Sequence, residues 1–121
     1  MKPGIDACDL LCLDLVKAES VRASLPDRRA LEGSALLAKA LADPNRLGIA
    51  IALKEGGEMC VCDLSWIVSR QDKLVSHHLR LLRVAGLATS RKDGRMVLYS
   101  LTELGCRLVE TLDAIPSSLT R

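Results

Sequence analysis

The sequence predicts a mainly α-helical domain that carries one small β-hairpin. Its 121 residues suffice for one domain with a hydrophobic core and are few for two. The chain contains no Phe, one Trp and one Tyr, so the core has to be built from aliphatic side chains, and this composition favours packed helices. The hairpin is indicated by Asp93-Gly94, which lies between two β-rich stretches.

The first half of the chain predicts three helices. Residues 5 to 25 form a helix or a partly ordered arm, because apolar side chains recur there at helical spacing. A second helix covers residues 31 to 41. A third covers about 44 to 54, with Asp43-Pro44 as cap and first helical position and Gly56-Gly57 as the turn that follows. The apolar stripe of the first segment consists of Cys8, Leu11, Cys12, Leu15 and Val16.

A short helix followed by a longer one is predicted next. The short helix runs through Val68; Cys60 stands in the cap position and Asp63 follows three residues later, as in a capping box. The longer helix covers Asp72 to about Val84, and Gly86 is predicted to end it as a left-handed terminator.

Two strands and a last helix complete the chain. The strands cover residues 87 to 91 and 96 to 101 and form a two-stranded wing. Thr102 caps the last helix, which Pro116 stops.

The longer helix has two distinct faces. One is apolar and includes His78, which we expect to be a packed, hydrogen-bonded structural histidine. The other is polar. The apolar face carries Val75, His78, Leu79 and Leu82, and the polar face carries Lys73, Ser76, His77 and Arg80.

Positive charge is concentrated on this helix and on the hairpin. The net charge of the chain is +2, but seven basic and two acidic residues lie between Arg70 and Arg95, so this stretch carries +5 and the rest carries −3. A solvated surface would explain a basic helix alone. The order of short helix, tight turn, long helix and basic hairpin is that of a winged helix-turn-helix, which favours binding to double-stranded DNA. The candidate DNA contacts are Lys73, Ser76, His77, Arg80, Arg91, Lys92 and Arg95.

A single helix supplies little sequence specificity, because one good base contact contributes roughly 1–3 kcal/mol. We therefore expect a homodimer, built on the apolar faces of the first and last helices, that reads a palindromic site.

Five cysteines are many for so short a chain. Their odd number, the lack of a secretory signal and the lack of an apolar run near eighteen residues argue against a secreted or membrane protein. We expect reduced thiols in the cytoplasm. Cys8 and Cys12 stand four residues apart, and Cys60 and Cys62 can face one ion if Cys60 is still non-helical. Four thiolates suit Cd(II), Pb(II) or Zn(II), whereas Cys106 is better explained as core packing.

The sequence resembles the ArsR/SmtB family of metal-sensing repressors over about residues 6 to 112. The resemblance rests on residues 42 to 46, on 58 to 64 with the Cys60-Val61-Cys62 pair, on the Ser-His-His-Leu helix, and on 91 to 95 with 99 to 101. Residues 6 to 12, joined to the second cysteine pair, are similar to the CadC-like branch, which responds to cadmium, lead and zinc.

The resemblance implies a homodimeric repressor that binds operator DNA without metal and releases it when metal binds. It implies a metal-binding arm over residues 1 to 30 and a DNA-binding domain with a dimerisation helix over 31 to 121. The ligands would be Cys8 and Cys12 of one subunit with Cys60 and Cys62 of the other.

The chain departs from the family pattern in two places. Residues 102 to 121 contain no histidine, so the second, zinc-type site that some members carry in the last helix is not expected. Ser69 and Gln71 stand where the family usually has Gly and then Ser or Thr, so we expect the recognition helix to be less sharply capped, by about 1 kcal/mol.

Two alternatives remain open at the cysteines. One is an As(III) or Sb(III) sensor with a three-thiol site around Cys60 and Cys62; the other is a redox switch in which Cys8 or Cys12 forms a disulfide with either of them. Catalysis is disfavoured, because both histidines lie on the predicted DNA-reading helix and no nucleophile, base and orienting group can be assigned. No organic cofactor, small-molecule substrate or membrane partner is expected.

Overall fold

The computed structural model describes residues 13–115, which fall into two compact units divided between Glu32 and Gly33. The first unit contains helix α1 (Leu15–Ser24) and the start of α2 (Arg28–Ala40). The Asp14 carboxylate accepts the backbone N–H of Lys17 at 3.1 Å and so caps α1. In the described part of the predicted helix or partly ordered arm over residues 5 to 25, the helix covers Leu15–Ser24, and Leu13 and Asp14 precede it. The division of the chain into residues 1 to 30 and 31 to 121 stays a prediction.

Helix α3 (Pro44–Gly56) lies at the centre of the second unit and packs against the helices and the strand that follow it. The Asp43 carboxylate accepts the N–H groups of Asn45 at 2.8 Å and Arg46 at 3.0 Å, which confirms the predicted cap. Gly57 ends the helix with φ of +78°, a conformation that favours glycine.

Two helices joined by a tight turn follow. Helix α4 (Val61–Val68) ends at Ser69, whose φ of 56° is left-handed, and α5 (Asp72–Val84) begins after Gln71. Gln71 makes no side-chain cap hydrogen bond, as its residue type predicts. Gly86, with φ of +83°, ends the second helix and confirms the predicted terminator.

The wing belongs to a three-stranded antiparallel sheet, so the predicted two-stranded wing is incomplete. The strands are β1 (Met59–Cys60), β2 (Ala88–Asp93) and β3 (Met96–Leu101), in the order β1-β3-β2. The loop between β2 and β3 consists of Gly94 and Arg95, because Asp93 pairs with Met96. The additional strand carries Cys60, which pairs with Leu98 of β3.

Helix α6 (Glu103–Asp113) ends the described chain. The Thr102 hydroxyl accepts the Gly105 N–H at 3.1 Å, which confirms the predicted cap. The core is aliphatic, as composition predicts. Its largest fully buried side chains are Ile49, Leu53, Leu64, Val75, Leu79, Leu82, Leu87 and Val109. None of the helices within residues 13–115 has the length and apolar character needed to cross a bilayer.

Candidate DNA-binding surface and metal-binding cysteines

The two faces of α5 separate as the sequence predicts. Val75, Leu79 and Leu82 are fully buried and His78 is nearly so. The polar face is exposed and, with the side chain of Leu74, forms a shallow groove. The groove is lined by Gln71, Lys73, Leu74, Ser76, His77 and Arg80.

A hydrogen bond fixes the proton of His77 at the outer nitrogen. The Arg80 guanidinium lies 3.0 Å from Nδ1 of His77 and donates to it, because a guanidinium has no acceptor. The neutral ring then carries its proton on Nε2, which is a donor. His77 can therefore present a donor, and Arg80 its remaining N–H groups, to acceptors on a base edge or a phosphate.

His78 joins the middle of α5 to the beginning of α3 from within the core. Its Nδ1 accepts from the Arg46 guanidinium at 3.1 Å, and its Nε2 lies 4.0 Å from the Asp43 carboxylate. Burial lowers the pKa of His78, and the hydrogen bonds from the backbone N–H groups of Arg46 and Asn45 lower that of Asp43. The predicted structural role of His78 is thus confirmed.

The wing contains one basic residue that is paired within the protein. Arg91 donates from Nε to one Glu58 oxygen at 2.6 Å and from its second terminal nitrogen to the other oxygen at 2.7 Å. This hydrogen-bonded pair lowers the pKa of Glu58 and raises that of Arg91. Arg91 therefore anchors the wing to the segment before β1, whereas Lys92 and Arg95 are exposed near the tip of the hairpin.

Cys60 and Cys62 lie where β1 passes into α4. Cys60 has an extended backbone, with φ of −89° and ψ of 171°, and precedes the helix, while Cys62 lies in its first turn and is exposed. The predicted non-helical state of Cys60 is confirmed. The capping box is not formed as expected: the Cys60 thiol makes no cap bond and instead donates to the Asp63 carboxylate at 3.4 Å.

The other predicted ligands, Cys8 and Cys12, lie outside the described residues. Within residues 13–115 the structure gathers no group of three or more His, Cys, Asp or Glu side chains suited to a metal ion. Two soft donors are thus available at the start of α4, and a full thiolate site needs further ligands. Cys106 is half-buried in α6.

The sequence alone does not indicate the contacts that Glu58 and Arg46 make or the exposure of Trp66. The Glu58 and Arg46 contacts join residues 33 and 32 positions apart, for which no local pattern exists. Trp66 is 86% exposed on α4, beside the turn to α5. An exposed Trp is unusual enough to be a signal, but a sequence does not reveal which face of a short helix is buried.

The tight turn between α4 and α5, with the hairpin after them, defines a winged helix-turn-helix DNA-binding regulator. Residues 43–90 match the family model described as bacterial regulatory protein, arsR family. A cadmium resistance transcriptional regulatory protein CadC homolog of Staphylococcus aureus is 37% identical over 98 residues, 81% of this chain and 80% of that protein. The chain belongs to the ArsR/SmtB family of transcriptional repressors, and its relatives support the CadC-like branch.

Two further similarities agree with this assignment. The arsenical resistance operon repressor of Escherichia coli K12 is 48% identical over 66 residues, 54% of this chain and 56% of that one. The homodimeric winged helix-turn-helix domain of Mb0332 from Mycobacterium bovis superposes with a TM-score of 0.66 at 30% identity, over 75% of this chain and 86% of that one. Relatives and fold are those of DNA-binding regulators, not enzymes.

Proposed function

We propose that this protein is a metal-responsive repressor that binds operator DNA as a metal-free homodimer and releases it when Cd(II), Pb(II) or Zn(II) binds its thiolates. The ligands are Cys8 and Cys12 of an arm over residues 1 to 30 and Cys60 and Cys62 of the partner's DNA-binding domain. The protein acts in the cytoplasm, where its thiols stay reduced.

The observation that carries this proposal is the position of Cys60 and Cys62. An extended residue followed by an exposed residue of the first helical turn lets both sulfur atoms approach one ion, which a regular helix would not allow. Soft thiolate donors select soft or borderline cations.

The cysteine pair is also connected to both DNA-reading elements. Cys60 belongs to β1, which is hydrogen-bonded to β3 of the wing, and α4 packs directly against α5. A metal ion that draws this segment toward another ligand therefore changes the distance between the wing and the recognition helix. A coupling of about 3 kcal/mol would lower DNA affinity about a hundredfold.

The proposed DNA contacts are divided between the recognition helix α5 and the wing. Lys73, Ser76, His77 and Arg80 face the major groove, and Lys92 and Arg95 contact flanking phosphates. Arg91 is neutralised by Glu58, so its role is to hold the wing at its angle.

The sequence predicts a dimer built on the first and last helices; we propose that the second subunit docks on the last helix, α6, together with α2 in place of the first helix. Within the second unit these helices enclose an apolar groove, and Leu112 and Ile115 remain 39% and 46% exposed. Covering such a surface with its symmetry-related copy is the commonest way to form a dimer. The groove is lined by Ser34, Leu37, Ala38, Leu41, Ala42, Leu108, Thr111 and Leu112.

A metal titration followed by a DNA-binding assay of the same samples tests the proposal. Reduced protein is titrated with Cd(II), Pb(II) or Zn(II) while the sulfur-to-metal charge-transfer absorbance is recorded, and its affinity for the DNA upstream of its own coding sequence is then measured. We expect the absorbance to rise as DNA affinity falls. Cys60→Ser should abolish both responses, and the matched control Cys106→Ser should leave both intact.

An As(III) or Sb(III) sensor is the second candidate, because the arsenical resistance repressor of Escherichia coli is 48% identical over the matched region. Release by As(III) but not by Cd(II), with no requirement for Cys8 or Cys12, would replace the proposal with this one. Release only after peroxide treatment would indicate a thiol redox switch instead.

A further inference from the structure

The wing strand β2 leaves the hydrophobic core soon after it begins. Leu87 and Ala88, at the root of the strand, are buried, whereas residues 89 to 93 are exposed or half-buried. The root is also held by the Gly86 carbonyl, which accepts the Thr102 hydroxyl at 2.8 Å. Packing therefore fixes the root of the wing, but the part beyond Ala88 keeps a defined angle to α5 only through other contacts.

A hydrogen bond joins this outer part of the wing to the last turn of α5. The Arg83 guanidinium donates to the Ser90 hydroxyl at 3.0 Å. Within residues 13–115 it is the one side-chain hydrogen bond between α5 and the hairpin. Ser90 lies on the same face of the sheet as the buried Ala88, because side chains alternate along a strand, and it pairs with Tyr99, which packs against the core. The bond therefore reaches the wing from its inner face.

The outer face of β2 is held by a different element. Arg91 follows Ser90 directly, so its side chain points to the other face of the sheet, where it is paired with Glu58. Two successive residues of β2 are thus held from opposite faces, one by α5 and one by the segment that leads to Cys60. A rotation of the wing in either direction would stretch one of these two contacts.

Arg83 continues the polar face of α5. It follows Ser76 by seven residues and Arg80 by three, which places all three on one side of the helix. By its position alone, Arg83 would be a further phosphate contact. Its guanidinium is instead hydrogen-bonded to the wing, so it is used within the protein, as that of Arg91 is.

We propose that Arg83 and Ser90 are positioning residues for DNA binding. Their hydrogen bond sets the angle between α5 and the wing, so that Lys92 and Arg95 meet flanking phosphates while α5 occupies the major groove. A wing that already has this angle loses less conformational freedom on binding. The inference rests on the proposed DNA binding and adds that neither residue touches DNA, because both act through the wing.

Ser90→Ala removes the bond without changing the charge of the protein. Duplex DNA from upstream of the protein's own coding sequence is the probe. The loss of a hydrogen bond to a charged group should weaken binding about threefold. The slope of log affinity against log salt should stay unchanged, because no phosphate contact is lost. Thr89→Val, which removes the neighbouring hydroxyl from the opposite face of β2, is the matched control and should change neither quantity.

Arg83→Met extends the test to the donor. If Arg83 acts by holding Ser90, this variant should weaken binding as much as Ser90→Ala, and the double variant should bind no more weakly than either single variant. If Arg83 contacts a phosphate instead, Arg83→Met lowers the salt slope by about one while Ser90→Ala has no effect, and the inference is overturned.

Removing the wing contacts tests whether the bond acts through the wing. In a protein that carries Lys92→Gln and Arg95→Gln, the wing no longer meets the phosphates, so Ser90→Ala should cause no further loss of DNA affinity. A loss of about threefold that persists in this background would contradict the inference, because the bond would then act on DNA binding by another route.

The outcomes distinguish this inference from the proposed function. If duplex DNA does not bind the folded wild-type protein, the proposed function fails. If DNA binds, and Lys92→Gln with Arg95→Gln weakens binding while Ser90→Ala does not, the positioning role alone is wrong. An equal loss of affinity in Ser90→Ala and Thr89→Val would show a general loosening of the hairpin and would also overturn the inference.

Discussion

His78 is a single side chain on which the position of the recognition helix depends. The Arg46 guanidinium that donates to its Nδ1 also donates to the carbonyl oxygens of Lys39 and Ala40. One arginine thus connects the end of α2 and the start of α3 to the inner face of α5. The arrangement requires a neutral imidazole, because a protonated ring has no acceptor for Arg46.

This requirement predicts a pH dependence of stability. Burial lowers the pKa of His78 in the folded protein, so the unfolded chain binds the proton more readily. The stabilisation that neutral His78 contributes is complete above a pH of about 6.5, the pKa of histidine in the unfolded chain. It is lost as the pH falls through the lower pKa of His78 in the folded protein, and the free energy of unfolding changes by at most about 1.4 kcal/mol per pH unit. Urea unfolding between pH 7 and pH 5 measures it. His78→Gln should flatten the slope, whereas His77→Gln, the exposed neighbour, should retain it.

A second single-residue prediction concerns the cap of α5. Gln71→Ser should raise the free energy of unfolding by about 1 kcal/mol, because a serine hydroxyl can accept an N–H group of the first turn that Gln71 leaves free. Gln71→Ala, which cannot cap, is the control for the loss of the glutamine side chain. Equal stability of the serine and alanine variants in urea unfolding would show that the turn does not allow a capping geometry.

At the scale of elements, α6 depends on a glycine that its sequence does not distinguish. A Cβ at Gly105 would collide with the Leu87 carbonyl oxygen, whereas a Cβ at Gly33 in α2 meets nothing within 4 Å. Gly105→Ala should therefore lower the free energy of unfolding by about 1–3 kcal/mol despite the higher helix propensity of alanine. Gly33→Ala should raise it by up to about 1 kcal/mol. Urea unfolding of both variants checks the predicted opposite signs.

The contrast between these glycines indicates what the sequence can predict. Caps and terminators such as Asp43, Gly86 and Thr102 were predictable because each acts on backbone groups within a few residues. The close approach at Gly105 depends on a residue 18 positions earlier in the chain. Strand β1 was missed for the same reason, since two residues become a strand only by pairing with β3.

In the candidate site, too, some features are predictable from the local sequence and others depend on residues far apart in the chain. The faces of α5 and the extended state of Cys60 follow from helical periodicity and from the sequence around a helix start, so both were predictable. The pairing of Glu58 with Arg91 was not, because it requires knowing that the segment before β1 lies beside β2. Arg91 was consequently counted among the free basic residues of the wing.

That ion pair predicts an effect on regulation. Glu58 precedes β1, which carries Cys60, and its partner lies in the wing, so the pair adds a second connection between cysteine segment and wing. Glu58→Gln should leave metal affinity unchanged and reduce the metal-induced loss of DNA affinity by about fivefold, equivalent to about 1 kcal/mol of coupling. Glu103→Gln, which breaks the exposed pair with Arg107 in α6, is the control. An unchanged ratio of DNA affinities with and without metal would exclude this connection.

At the scale of the whole molecule, the proposed site exists only in a dimer. The described domain holds two of the four proposed thiols, and a two-fold dimer would contain two equivalent sites if each arm reaches the other subunit. Since binding energies are linked, a metal ion that weakens DNA binding must itself bind more weakly when DNA is present, by the same factor.

Mixed dimers test whether the ligands come from two subunits. One parent carries Cys8→Ser with Cys12→Ser, the other carries Cys60→Ser with Cys62→Ser, and two affinity tags isolate the mixed species. If the ligands are shared between subunits, the mixed dimer has one complete site and one without thiols, so it should bind one Cd(II) ion with the full charge-transfer absorbance. Both parent dimers should bind it much more weakly, because each of their sites retains two thiols. If the mixed dimer binds no better than the parents, all the ligands lie within one chain, since neither of its subunits then holds a complete set.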